Sequence, residues 1–415
     1  MSVYKTFGQG VSLFSAALAA VVVGFASTIL IIIQAAQAVG ATPAQQASWA
    51  AVLCFGMAAT SFMLSYHYKM PIITAWSTPG AVLIATSGAG ISYESAIGAF
   101  VVAALMMVAT SLLRPALARP IERMPPAIAA AMLAGVLLSY VLKVPSVGLS
   151  APYLVVPLIA AFFIMRLSYP IYAVPVVVAL GLGIAAYGGS LGSACCTLHI
   201  TQPVYTAPHF DWPSVLAIGV PLYLVTMASQ NLPGFAVLKA SGYRPPVSAC
   251  LLVTGLGSLI IAPFGGHAVN MAAITASLVT GPEAHPDPTK RWLMVYPYAL
   301  LYFGVGAAAM SFVLILTALP HELVTAIAGL ALFGPLLGGV SAMMSEPNDN
   351  EPALATFLIT ASGFALFGVG APFWGLTGGL ALWFIKRWLK PNVVAIKPDD
   401  ALLPAPEGEA ELEAA

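Results

Sequence analysis

Thr74-Ala-Trp-Ser-Thr-Pro-Gly-Ala81 and Ala262-Pro-Phe-Gly-Gly-His-Ala-Val-Asn270 decide the fold. Each interrupts a short apolar stretch with proline, glycine and polar side chains, so each is easily dismissed as a loop. Proline removes an N–H and disfavours helix in the residue before it, and glycine permits extended backbone. The basic residues choose between loop and membrane element, because Lys and Arg near span ends stay on the cytoplasmic side. With both stretches counted as crossings and Lys5 placed inside, Lys69, Arg114, Arg119, Arg123, Arg166, Lys239, Arg244, Lys290, Arg291, Lys386, Arg387, Lys390 and Lys397 also fall inside. Lys143 alone falls outside. Dropping one of the two stretches inverts everything downstream and strands much of the positive charge.

Working outward, the 415-residue chain is 60% hydrophobic and 7% charged, against about 25% charged in an ordinary soluble domain. So few charges cannot cover a water-soluble surface. Apolar stretches long enough for a bilayer recur to about Leu389, the signature of an all-α polytopic membrane protein, and barrel-type alternation is absent. The stretch Val11 to Val39 is too long for a cleaved signal peptide and reads as a retained first helix. Apolar stretches bounded by charge, Pro or Gly give fourteen elements, at about 11–38, 46–66, 71–88, 94–115, 125–143, 149–166, 170–189, 213–238, 246–262, 266–281, 292–317, 321–344, 352–368 and 371–389.

The short, interrupted third and tenth elements hold equivalent places in two halves of seven, the pattern of a discontinuous-helix binding site between inverted repeats. Seven is odd, so the second half must run inverted. Val23-Gly-Phe-Ala-Ser-Thr28 resembles Val225-Thr-Met-Ala-Ser-Gln230, and Ile84-Ala-Thr-Ser87 resembles Ile274-Thr-Ala-Ser277. The chain therefore divides into a first repeat over 1–189, an extracytoplasmic connection over 190–212, a second repeat over 213–389, and a Pro- and acid-rich tail over 390–415 expected to be disordered in the cytosol. Both termini are expected in the cytoplasm.

Four constellations can carry chemistry. In the third element, Ser77 and Thr78 stand beside a helix start near Pro79, whose free N–H groups point at whatever precedes it; a proline-kinked span is the bland alternative. In the tenth, Gly265 and Gly266 allow close ligand approach, and His267 and Asn270 fall i, i+3 on one helical face, although a lone membrane histidine is often a bonded structural residue. In the eighth, Ser229, Gln230 and Asn231 are expensive in lipid unless they face a cavity or fasten helices together. Between the twelfth and thirteenth, Glu346, Asp349 and Glu351 read as a solvated turn, with a proton relay as the rival. Gln34 and Gln37 look structural, and Gly334-xxx-Gly338 and Gly375-xxx-Gly379 fit close helix packing.

Through position 345 the acids are Glu94, Glu122, Asp211, Glu283, Asp287 and Glu322, all near element ends or in loops. Two helix N-termini meeting among Ser, Thr, Gln, Asn and His without carboxylates favour an anion. Trp76, Phe264 and Met227 are available as apolar walls for a planar ring. No basic run follows a phosphate backbone, which argues against nucleic acid. Cys54, Cys195, Cys196 and Cys250 make no spaced ligand pair, so neither metal, cofactor nor thiol chemistry is expected.

Ala75-Trp-Ser-Thr-Pro-Gly-Ala81, Met227-Ala-Ser-Gln-Asn-Leu-Pro-Gly234 and Pro263-Phe-Gly-Gly-His-Ala-Val-Asn270 together resemble the benzoate/proton symporter family, over nearly the whole chain to about Leu389. That family is similar in architecture to uracil and xanthine permeases. The resemblance implies a core domain from elements 1–4 and 8–11, a gate domain from elements 5–7 and 12–14, and a cleft lined by Ser77, Thr78, Ser229, Gln230, Asn231, Gly266, His267 and Asn270. Nucleobase permeases carry glutamates in the eighth and tenth elements, where this chain has Gln230 or Asn231 and His267. Loss of negative charge suits a carboxylate and leaves His267 the first candidate for the proton, with Glu346 behind it.

The expectation is secondary active import of benzoate or a similar aromatic carboxylate with protons across the inner membrane. The rival within transport is a nucleobase or small-anion permease working by the same elevator-type motion. A passive channel is a further alternative. An enzyme is disfavoured by the lack of HExxH, paired intramembrane acids or spaced cysteines. Assembly as a homodimer stays open.

Overall fold

A computed structural model describes residues 2–113, 125–189, 199–272, 274–282, 284–366 and 369–389. Arg114, Arg119, Glu122, Arg123, Cys195, Cys196, Glu283 and the 390–415 tail, with Lys390 and Lys397, lie outside the described residues. The first half comprises α1 (Ser2–Ala38), α2 (Pro43–Tyr68), β1 (Thr74–Trp76), α3 (Thr78–Ser87), α4 (Tyr93–Leu112), α5 (Pro126–Val141), the short α6 (Lys143–Ser150), α7 (Pro152–Ser168) and α8 (Ala173–Tyr187). The second comprises α9 (Trp212–Ala240), α10 (Val247–Ile261), β2 (Val269–Met271), α11 (Ile274–Thr280), α12 (Val295–Ala307), α13 (Ala309–Thr317), α14 (His321–Met343), α15 (Asn350–Ala361), β3 (Ala365–Leu366), β4 (Val369–Gly370) and α16 (Ala371–Leu389). Among the described residues seven helices are long and apolar enough to cross a membrane, and α12 with α13, bent by 55°, makes an eighth if taken as one span.

Local chemistry sets the boundaries. Thr42 and Gln45 form a reciprocal capping box at the start of α2, with Pro43 in the first turn where its missing N–H costs nothing. Asp211 caps α9 through the Ser214 N–H. Burial pushes its carboxyl pKa up, but the Ser214 N–H bond, with the Ser95 and Ser214 hydroxyls and His209 nearby, outweighs this and holds it below the usual carboxylate value. Two sequence expectations change. The thirteenth element is helical only to Ala361, because Gly363 at φ 67° ends it and a short β3–β4 hairpin follows. Of the glycine pairs, Gly375 and Gly379 do pack against Thr360 and Thr356, whereas a Cβ at Gly338 meets nothing within 4 Å.

The fold is a seven-plus-seven inverted repeat in which the third element (β1–α3) and the tenth (β2–α11) are broken. The repeats brace their broken elements in the same way. Ser61 of α2 accepts from the Thr74 N–H of β1 at 2.9 Å, and Ser258 of α10 accepts from the Val269 N–H of β2 at 2.8 Å. Thr28 of α1 accepts from the Trp76 indole at 2.8 Å, and Asn231 of α9 accepts from the Met271 N–H at 2.9 Å. α1–α4 and α9–α13 pack among themselves, as do α5–α8 and α14–α16. α5 and α16 meet α9 across an apolar seam of Ile128, Met132, Val225 and Leu376, each at most 3% exposed.

Candidate functional site

The two interrupted stretches meet. β1 and β2 pair antiparallel, Thr74 with Met271, Ala75 with Asn270 and Trp76 with Val269. Antiparallel pairing follows from the inversion, since elements running oppositely through the bundle bring their breaks together head to head. Helix α3 leaves one strand and α11 the other, in opposite directions. The pairing satisfies backbone groups that lipid cannot, which is how non-helical chain survives inside the bundle. Tyr298 adds a hydroxyl to the Thr74 carbonyl at 2.8 Å.

This corrects one sequence expectation. His267 and Asn270 do not share a helical face: Gly265 sits at φ 102°, the chain runs extended into β2, and helix resumes only at Ile274. The glycines serve packing. A Cβ on Gly266 would lie 2.4 Å from Ile261, and one on Gly265 would lie 2.6 Å from the Tyr93 hydroxyl.

The eight candidate residues separate by what they touch. Ser77, Asn231, His267 and Asn270 are buried and bonded within the protein. Ser77 caps α3 through Gly80 at 3.1 Å and accepts from the Thr226 hydroxyl of α9 at 3.1 Å. His267 bridges α2 and α3, its Nε2 2.9 Å from the Ser77 carbonyl and its Nδ1 3.0 Å from the Trp49 indole nitrogen. The Asn270 amide fits with its NH2 toward the carbonyls of Ala75 and Met271, at 3.2 and 3.1 Å, and its oxygen toward the Ser77 N–H at 3.1 Å. Asn231 joins α9 to β2 through Met271.

Thr78, Ser229 and Gln230 are half-buried instead. Ser229 gives its proton to the Val225 carbonyl at 2.6 Å. Among the described residues, neither the Thr78 hydroxyl nor the Gln230 amide has a protein partner. The Met227–Asn231 turn of α9 is π-helical, and so is Val215–Gly219. Such a widened turn is common at functional sites, and it carries the whole polar motif. This turn and α3 both pack against α5. Of the proposed apolar walls, Trp76 and Met227 are buried, while Phe264 is half-buried and stacks edge-on with Tyr205.

Glu346 lies elsewhere, exposed in the turn after α14. That turn is tied to α16 by Asp349 with the Trp383 indole at 3.1 Å and by Lys386, which reaches the Asn348 carbonyl at 2.8 Å and Glu351 at 2.9 Å. Sequence reasoning missed Trp49, Thr28, Ser258 and Tyr298 as bracing side chains, and Ile128 and Met132 on the opposite wall. α2 is buried on nearly every face, so periodicity gives Trp49 no distinguishing mark.

With this geometry in hand, similarities to known proteins gain a meaning. The profile described as "Benzoate membrane transport protein" matches residues 9–385. "Inner membrane protein YdcO" of Escherichia coli is 37% identical over 361 residues, 87% of this chain and 92% of that relative. "Benzoate membrane transport protein" of Acinetobacter baylyi is 34% identical over 390 residues, 94% of this chain and 98% of that one. Among solved structures, SLC26A9 aligns with a TM-score of 0.62 at 11% identity, over 91% of this chain and 66% of its own length. The transmembrane domain of a cyanobacterium bicarbonate transporter, BicA, aligns with a TM-score of 0.52 at 15% identity, over 91% and 96%. At such identities the likeness is one of fold.

Proposed function

The chain belongs to the benzoate membrane transport protein family and is a membrane transporter, and we propose that it imports benzoate or a similar aromatic carboxylate together with protons across the inner membrane. The observation carrying this reading is the charge character of the interior. Among the described residues the buried ionisable side chains of Asp, Glu, Lys, Arg and His type are His267, His285 and Arg291, with no buried carboxylate. A carboxylate entering beside the start of α3 would meet the Thr78 hydroxyl and the Gln230 amide as uncommitted donors and no negative charge. The apolar residues of α5 offer a surface for the ring.

In this reading α1–α4 and α9–α13 form the core that carries the substrate, and α5–α8 with α14–α16 form the gate against which it slides. An apolar seam suits sliding, since no charged pair has to be broken and remade. His267 takes the proton, because it is the buried imidazole at the strand crossing. Reconstituted protein should accumulate labelled benzoate when an inward proton gradient is imposed, and unlabelled benzoate should compete where uracil and sulfate do not. Uptake indifferent to the gradient would sink the symport, and competition by uracil or sulfate would move the substrate class.

A further inference from the structure

Trp49 is fully buried in α2 and places its indole Nε1–H 3.0 Å from His267 Nδ1. An indole nitrogen only donates, so this Nδ1 is an acceptor and carries no proton. The ring hydrogen therefore sits on Nε2 and is donated to the Ser77 carbonyl at 2.9 Å. Both nitrogens are committed, and the imidazole is held as one neutral tautomer. Aromatic rings fix the pair in place. Phe100 lies 5.1 Å from the Trp49 ring and 6.2 Å from His267, and Tyr93 lies 6.2 Å from Trp49. Tyr93 is the titratable side chain of α4 that packs here, with its buried hydroxyl unpartnered, and Glu94 beside it is exposed. α2 contributes Trp49, and the start of α3 contributes the Ser77 carbonyl.

A proton arriving at His267 needs the lone pair that the Trp49 N–H already occupies. The two cannot be bound at once. We propose that Trp49 is a positioning residue for proton movement, holding His267 as the neutral Nε2–H tautomer until the contact between α2 and the segment leading into β2 loosens, so that the site charges only in conformations that release the indole. This rests on the reading of His267 as proton carrier. It gives α2 a role in coupling that its apolar sequence does not announce.

The test uses the full chain. In 15N-histidine-labelled protein, with His267→Gln identifying the signal, Nδ1 should appear as the unprotonated acceptor, and Trp49→Phe should give mixed tautomers. In proteoliposomes without benzoate, Trp49→Phe should raise proton leak about tenfold, the scale of one lost hydrogen bond, and adding His267→Gln should abolish the increase. Phenylalanine keeps the aromatic packing while removing the N–H. A protonated Nδ1 in the unmodified protein overturns the proposal even if the variant fails to fold. So does a Trp49→Phe leak equal to that of the parent, or one that persists without His267. If the parent carries no benzoate yet tautomer and leak behave as expected, the substrate reading fails and the role of Trp49 stands.

Discussion

The polar residues around the strand crossing divide between those bonded to its backbone and those left half-buried beside it. Asn231 and Asn270 satisfy backbone groups of β1, β2 and the start of α3, so replacing either leaves buried partners unpaired. Among the described residues the Thr78 and Gln230 side chains bond nothing in the protein, and in the proposed reading they meet the substrate. Thr78→Val and Gln230→Leu should therefore each weaken benzoate binding about tenfold with the melting temperature nearly unchanged, whereas Asn231→Leu and Asn270→Leu should destabilise the fold by about 1–3 kcal/mol. Binding isotherms and thermal unfolding in detergent separate the two effects. If all four variants lose stability alike, the division is wrong. From sequence these residues form one polar group; hydroxyl and amide side chains look identical on paper whether they hold backbone or await a substrate.

At the scale of elements, α9 does more than supply the motif. Its π-helical turn widens the helix where the polar residues cluster, and Gly234 then lets it approach β2 closely. A Cβ at Gly234 would stand 2.6 Å from the Met271 Cβ and 2.8 Å from the Ala272 carbonyl, neither of which is the loose end of a side chain. Gly234→Ala should push α9 off β2, stretch the Asn231–Met271 bond and lower stability by about 1–3 kcal/mol, the usual range for overpacking. Unchanged thermal unfolding would mean that the strand yields without resistance. The glycine thus serves a close approach of α9 to β2. The β1–β2 pairing was illegible from sequence, because three-residue strands have no period to detect and their partners lie far apart in the chain.

For the whole molecule, the proposed sliding of core against gate would make the seam between α5 and α9 the surface that moves. Met132 belongs to one side and Val225 to the other, and they share an apolar cluster. With native cysteines replaced by alanine, a Met132→Cys/Val225→Cys pair joined by a reducible cross-linker should stop benzoate uptake, and reductant should restore it. Uptake at the uncrosslinked rate would rule out sliding at this seam.

The sequence by itself determined the bilayer, the fourteen elements and the inverted halves, because hydrophobicity, basic residues at span ends and proline-glycine breaks act locally and add along the chain. It also singled out the two breaks, which pair as β1 and β2. Which polar side chains bond backbone, that His267 answers to Trp49, and which apolar residues of α5 pack against α9 were decided only by tertiary structure. Each depends on a partner that satisfies a particular lone pair or fills a particular space, and a partner more than 200 positions away, as between Trp49 and His267, leaves no local trace.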